Sequence, residues 1–487
     1  MHDPHPSTAA LGYLSAHEVL VRLAAGGLTS LDLVDTLIER VAQVDASDSH
    51  TAVNSIAALS DDARAQANAR DDERRRGGPL GPLHGVPVLI KDNIEALGLP
   101  GLAGSTSLIG RPSREAPLVA RLRDAGAVIL GSTNLSQWAN IRSPRSTSGY
   151  SASGGLVANP WALDRSAGGS SSGSGAAVAA GLAPLAVGTE TDGSIVSPSS
   201  MNGIVGLKPT VGTVPTTHVV PISASQDSPG PMGRSVSDVA LMYGVLAQQA
   251  PRAERAITFA VATSWRTLHP ATDQLFDDVV DELRRAGISM VERDIAIPGD
   301  AQGRDELTVM LAELVDDLGE YLAGRPGEGV TSLADVIAYE DLHGEIEQRY
   351  FGHEFFLEAL ATGGRRGGAY EESRRRNLAW ALETCLEPGI EGADVIIAPA
   401  YGPTWKSDLV VGGHPGPASP VTGPPAIAGW PILSLPMGLV EELPVGLAIV
   451  GRANAEWTVL DAARQIEAVL HAKSPFPTPR WQPPTRG

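Results

Sequence analysis

Chemistry is most concentrated between Gly168 and Ile195. Gly168-Gly169-Ser170-Ser171-Ser172-Gly173-Ser174-Gly175 opens this stretch, and Gly188-Thr189-Glu190-Thr191-Asp192-Gly193-Ser194-Ile195 closes it. Two serine-bearing, glycine-rich loops therefore flank a run of small residues at 175–181. Glycine lets backbone approach backbone or ligand closely and turn through positive φ. Loops of this kind, held by rigid elements, are where reacting groups are usually carried. The small-residue run suits a short, tightly buried helix. A helix that starts in a Gly/Ser loop points free N–H groups at it and favours negative charge developing there.

Other readings of the tract fit less well. A phosphate-binding Walker loop needs G-x-x-x-x-G-K-[ST], and no Lys follows; the dinucleotide fingerprint G-x-G-x-x-G is also missing from the run. A flexible linker would not lead into an apolar run and a second Gly/Ser loop. Gly169-Ser170-Ser171-Ser172-Gly173 matches the nucleophile elbow G-x-S-x-G, but the match is cheap in a tract so rich in both residues. An elbow also needs a buried strand leading into it and a later Asp and His. His414 can be nominated, but residues 163–167 do not read as a buried strand.

Lys91 is the next informative residue. It follows the apolar run 85–90 and heads Lys91-Asp92-Asn93. Strand ends commonly carry active-site groups in α/β folds. A lysine just past a strand is otherwise an ordinary surface residue, and its immediate neighbours do not decide between the two.

The elements that position these groups alternate. Ser15-Ala16-His17-Glu18 is a capping-box pattern that opens a helix. Val34, Leu37, Ile38, Val41 and Val44 recur at helical spacing in a second. Strands are expected within 51–59 and at 85–90, 127–130, 257–262, 288–295, 393–398, 432–435 and 445–450. Helices are expected at 61–76, 116–124, 272–286 and 455–470. Residues 149–160 read as an irregular polar loop and 203–210 as a glycine-punctuated turn. The strand–helix–strand unit over 257–295 implies parallel pairing. Residues 300–390 read as a mostly helical, more charged cap or side layer, with Phe351, Phe355, Phe356 and Leu357 as a buried stripe. The whole indicates an α/β architecture.

Composition bounds the function classes. The 487 residues are 43% hydrophobic and 19% charged, ample for a large core. No low-complexity linker divides them, so residues 1–487 read as a single domain. With 37 basic and 56 acidic residues the net charge is −19, which argues against nucleic-acid binding. The basic run Arg74-Arg75-Arg76 follows Asp71-Asp72-Glu73 and reads as a solvated helix end. Cys385 is the one cysteine, so no disulfide framework exists. The 11 histidines form no H-E-x-x-H pattern; neither a metal nor another cofactor is expected. With no apolar run of membrane-spanning length and no signal-like N-terminus, a soluble, cytoplasmic protein is expected.

The central stretch resembles the amidase signature family. It is similar to that family's GGSSGGS tract and its following G-T-D-x-G-G-S-I tract, and the two key serines keep the family's separation. Val88-Leu89-Ile90-Lys91-Asp92-Asn93 resembles the family's lysine strand. Weaker echoes run along most of the chain, among them Gly131-Ser132-Thr133-Asn134, Asn159-Pro160-Trp161 and Leu443-Pro444-Val445-Gly446-Leu447. The resemblance implies a central mixed, twisted β-sheet covered by helices on both faces. It implies a Ser–cisSer–Lys triad: Ser194 as nucleophile, Ser170 as bridging serine after a cis peptide, Lys91 as terminal base. The backbone N–H groups of Thr191, Asp192, Gly193 and Ser194 would form the oxyanion hole.

This chain departs from the commonest family pattern at Glu190, Asp192, Val196 and Ser172, where Asp, Gly, Arg and Gly are usual. The form of these tracts, with Ser223-Ala224-Ser225-Gln226-Asp227 and Asn134-Leu135-Ser136-Gln137-Trp138-Ala139-Asn140, looks most like bacterial peptide amidases. The function so implied is an amide hydrolase, acting through an acyl-enzyme and releasing ammonia from peptide C-terminal amides or related carboxamides, as a monomer or homodimer. The alternative is the glutaminase subunit of a tRNA-dependent amidotransferase, which would need a partner protein. Ser148, Trp138, Tyr150 and Tyr401 are candidate substrate contacts, with Trp405 and Trp430 behind them.

Overall fold

Short apolar runs become strands and amphipathic stretches become the helices that cover them. The computed structural model describes residues 11–45 and 52–471, apart from 112, 253, 414, 415 and 417. His414, the N-terminal decapeptide and Thr51 lie outside the described residues. In chain order the strands are β1 Ile56–Leu59, β2 Pro87–Lys91 and β3 Val128–Thr133. Four short ones follow: β4 Tyr150–Ser151, β5 Gly155–Leu156, β6 Ala158–Asn159 and β7 Ala162–Ser166. Next come β8 Leu185–Glu190, β9 Val205–Lys208, β10 Ser228–Gly233, β11 Thr258–Ala262 and β12 Ser289–Arg293. The last are β13 Val395–Pro399, β14 Ile432–Val440 and β15 Leu443–Gly451.

Eleven of these strands form one sheet in the order β1-β3-β2-β8-β10-β9-β14-β15-β13-β11-β12. It is mixed: β2 runs parallel to both β3 and β8, and β11 runs parallel to β12 and β13, while the joining strands are antiparallel. The molecule is thus a single large α/β domain with its sheet flanked by helices. The unit expected over 257–295 is present: β11, the helix Pro270–Arg285, and β12 in parallel register from Thr258↔Ser289. Ser15 caps the helix Ala16–Ala24 through a complete capping box. The next helix, Ser30–Val44, buries Leu33, Val34, Leu37 and Val41.

The structure departs from the pattern-based expectations in four places. Residues 149–160 are not irregular: β4 pairs with β5, and β6 pairs with β7. Residues 203–210 are not a turn but hold β9, a central strand. Gly203 ends the preceding helix Val196–Asn202 in the left-handed region (φ 68°), and only Val205 and Leu207 then mark the strand, too few for a period to show. β10 has no apolar pattern at all, because Pro229 and Pro231 alternate with glycine. Proline cannot donate to a ladder and is usually kept to edges. Here β10 pairs with β8 along all six residues but with β9 only at Met232 and Gly233. The stripe in the helical region is also narrower than expected. Phe351 and Phe356 are buried, but Leu357 is 52% exposed. The helix Glu354–Thr362 turns position 357 away from the face that buries Phe356 and Ala359.

Candidate active site

β2 and β8 are parallel neighbours, with Ile90 opposite Val187, so their carboxyl ends deliver Lys91 and Thr189-Glu190 to the same edge. The Gly169–Ser170 peptide is cis. It leads straight into the helix Ser172–Ala179, every residue of which is buried. Small residues are required there: a Cβ built on Gly173 would lie 2.3 Å from the Asn134 carbonyl oxygen and 2.4 Å from that of Ser55. Close backbone approach thus sets the helix against the strand edge. Ser170 O accepts from Ser136 N–H (3.1 Å), and Ser136 Oγ accepts from Gly149 N–H (2.8 Å).

Lys91 is fully buried. Its Nζ donates to Ser170 Oγ (2.7 Å), Thr189 Oγ1 (2.8 Å) and Thr189 O (3.3 Å). Burial brings its pKa down to about 7, against an opposing pull from the charges of Asp227 and Glu190. Ser171 Oγ donates to Thr189 O (3.0 Å), and Ser171 N–H donates to Ser194 O (3.2 Å). Ser194 is half-buried, and its hydroxyl has no protein hydrogen-bond partner among the described residues. Lys91 and Ser170 are therefore in direct contact, and Ser194 joins them through the backbone of Ser171.

Glu190 shapes the turn between Ser170 and Ser194. Its Oε2 accepts from Ile195 N–H (2.6 Å) and Val196 N–H (2.9 Å). It thereby closes the 191–195 loop and caps the helix Val196–Asn202, where a carboxylate complements the free N–H groups. Burial pushes its pKa up, and the ammonium of Lys208 opposes that. Lys208 is itself buried, donates to Trp430 O (2.6 Å) and has its pKa brought down to about 8. Gly193 takes φ +75°, and a Cβ there would meet the Tyr401 hydroxyl at 2.7 Å. This places Tyr401 against the turn. Ser148 lies beside the cis peptide, its Cβ 3.2 Å from a Cβ built on Gly169.

Trp138 and Tyr150, also nominated, are engaged with neighbouring aromatic and acidic side chains. Trp138 is 3% exposed, packs edge-on against Phe356 and gives its indole N–H to Glu340 Oε1 (3.0 Å). Tyr150 is 7% exposed and stacks edge-on with Tyr350 and Phe351. Sequence reasoning missed Thr189, which holds the lysine amine, and Asn93, whose Nδ2 donates to Thr189 Oγ1 (3.0 Å). Both sit beside residues already singled out, but nothing in their types marks them. It also missed Asp227, whose Oδ1 accepts from Thr191 Oγ1 (2.6 Å). Among the described residues no group of three or more His, Cys, Asp or Glu could hold a metal ion, and no helix is long and apolar enough to cross a membrane.

The fold, a mixed α/β sheet with a buried lysine at a strand end, and the comparisons together give the class, an amide C–N hydrolase. The amidase family pattern matches residues 32–460, and the chain belongs to that family, the amidase signature enzymes. The native peptide amidase from Stenotrophomonas maltophilia superposes with a TM-score of 0.87 at 36% identity, covering 96% of this chain and 99% of that one. The mandelamide hydrolase of Pseudomonas putida is 32% identical, covering 93% of this chain and 90% of its own. The A-type subunit of the glutamyl-tRNA(Gln) amidotransferase of Symbiobacterium thermophilum is 32% identical, covering 92% and 95%.

Proposed function

We propose that this amidase hydrolyses the C-terminal amide of peptides, or related carboxamides, through a Ser194–Ser170–Lys91 relay. The observation that carries the reading is the buried Lys91 amine 2.7 Å from Ser170 Oγ, with its pKa brought down to about 7. A serine hydroxyl is a poor nucleophile until a base takes its proton. A neutral amine has two N–H bonds and one lone pair. Its hydrogens suit the two oxygens of Thr189, and its lone pair then accepts from Ser170. Ser170 both donates and accepts, so it passes on the proton that Ser194 loses.

Ser194 Oγ attacks the carboxamide carbon and forms a tetrahedral intermediate. The N–H groups of Thr191, Asp192, Gly193 and Ser194 are the candidate donors to its oxyanion, one such donor being worth ~3 kcal/mol. The proton returns through Ser170 to the leaving nitrogen, ammonia departs, and water clears the acyl-enzyme by the same steps. Ser148 and Tyr401 border the cis peptide and the turn, and are the proposed substrate contacts among the nominated side chains. The likeness to the Stenotrophomonas peptide amidase supports peptide amides as substrates.

The test is ammonia release from a panel of N-acylated amino-acid and peptide amides, with Ser194→Ala, Lys91→Ala and Ser171→Ala compared. Loss of turnover in Ser171→Ala but not in Ser194→Ala would replace this relay with an elbow. The similarity to an amidotransferase component favours a second reading, a glutaminase acting with a partner protein. Glutamine as the preferred amide, together with a stable heteromer on purification from the host, would select it.

A further inference from the structure

Asp227 stands outside the three-residue relay, yet it ties the proposed oxyanion turn to the neighbouring loop. Its Oδ1 accepts from the hydroxyl of Thr191, in the proposed oxyanion turn, at 2.6 Å. Its Oδ2 accepts from the backbone N–H groups of Ile222 (2.8 Å) and Ser223 (3.0 Å). The segment that carries it is stitched to the lysine strand. Val220 N–H donates to Asn93 O (2.8 Å), Glu95 N–H donates to His218 O (3.0 Å), and Ile94 bridges Val219. The same carboxylate borders a cavity of about 450 Å³.

We propose that Asp227 is a positioning residue for amide hydrolysis: it anchors the Thr191 side of the oxyanion turn and supplies a negative charge against which the Lys91 amine is set. The inference rests on the relay proposed above. A hydroxyl bound to a carboxylate is held more firmly than one bound to a neutral acceptor. The bond therefore fixes the turn from its side chain, while Glu190 fixes it through the backbone of Ile195 and Val196.

The charges around this pair come from several elements. Lys91, at the end of β2, feels the charges of Asp227 and, from β8, Glu190. Asp317, on the helix Asp300–Gly324, acts on Asp227 with like sign. Glu320, Arg114 and His218 line the cavity, and Arg114 is already paired with Glu95 (2.6 Å). Of these, Asp227 and Glu190 act on Lys91, and both hold its proton on. Removing the charge of Asp227 therefore makes Lys91 easier to deprotonate.

Asp227→Asn separates charge from shape. Its Oδ1 can keep the two backbone N–H groups while its Nδ2 donates to Thr191 Oγ1. The experiment is the pH profile of kcat/KM for amide hydrolysis, read as ammonia release, in wild type, Asp227→Asn and Asp227→Ala. The acid limb is expected to move to lower pH by roughly 1 unit in Asp227→Asn, with the plateau lowered less than in Asp227→Ala. Asp227→Ala is expected to lower the plateau roughly 10- to 100-fold as the turn loosens. An unmoved limb in a folded Asp227→Asn protein overturns the inference and leaves the relay standing. A wild-type profile with no acid limb, or activity that survives Lys91→Ala, overturns the relay and the inference with it. If Asp227→Asn does not fold, Thr191→Val carries the test: roughly tenfold lower kcat, restored by Thr191→Ser, supports positioning. Unchanged kcat in Thr191→Val refutes it.

Discussion

The two ends of the sheet are built on opposite principles. At the carboxyl ends of β2 and β8 the interior turns polar: Lys91, Asp92, Asn93, Ser170, Ser171, Ser172, Ser174 and Glu190 are all buried, while the strands themselves carry Val88, Leu89, Ile90, Leu185 and Val187 into an apolar core. Around β13, β14 and β15 it is hydrocarbon, with Val395, Ile397, Leu433, Leu435, Val445, Leu447 and Ile449 packed against Phe259, Phe276 and Trp457. Burying polar groups is costly unless each finds a partner. The first region meets most of that demand by shrinking its side chains to glycine, alanine and serine, so that carbonyls and amides come within reach, though Asn93 Oδ1 and Glu190 Oε1 stay without a partner among the described residues. The second carries few buried polar groups, such as Ser434, and fills space mainly with branched side chains. The polar edge holds the residues of the proposed relay in place, and both halves of the sheet supply apolar burial that stabilises the domain.

Substitutions at the two ends should therefore fail differently. The largest effect is expected in the polar region, where Ser194→Ala and Lys91→Ala lower kcat/KM by roughly 10⁴-fold or more, with little change in the unfolding midpoint for the half-buried Ser194 and a larger one for the buried Lys91. Steady-state assays beside thermal melts measure both. Next is Gly173→Ala, whose added methyl has only backbone to push against. It is expected to cost about 3 kcal/mol in urea unfolding, and a neutral result would break the claim that backbone approach organises this end.

A third effect follows from the Lys91 amine, which must be neutral to accept a proton. Its pKa lies at about 7, so kcat/KM should fall about tenfold per pH unit below that value and level off above it. A flat profile between roughly pH 6 and 8 would count against Lys91 as the base. The smallest effect is expected in the hydrocarbon region. Ile449→Val should cost only ~1 kcal/mol and leave kcat/KM unchanged, as measured by the same unfolding and rate assays.

Much of this contrast is legible in the residue order. The capping box at Ser15, the periodic helix that buries Leu33 to Val41, the unit from β11 to β12 and the run ending at Lys91 all follow local rules. Such rules work where neighbours along the chain are also neighbours in space. The two Gly/Ser tracts are legible for the same reason, since their small residues admit few packings. β9 and β10 stay hidden, because Gly206 and the alternating prolines of 228–233 carry no apolar period, and only flanking strands give them a place. Leu357 is misplaced by its sequence context, because three neighbouring aromatics suggest a stripe that the helix does not align.

The sequence by itself determined most of the outer elements, the small-residue helix and the residue types of the proposed relay. The tertiary structure alone decided that an amine 79 positions away from Ser170 lies against its hydroxyl, since that contact joins the end of β2 to the turn before the helix Ser172–Ala179. It alone decided that Thr189 holds the amine, that Glu190 closes the turn, and that Trp138 spends its indole N–H on Glu340. Desolvation has the same origin: a lysine's pKa falls only when other parts of the chain exclude water from it, and no local pattern records which parts those are.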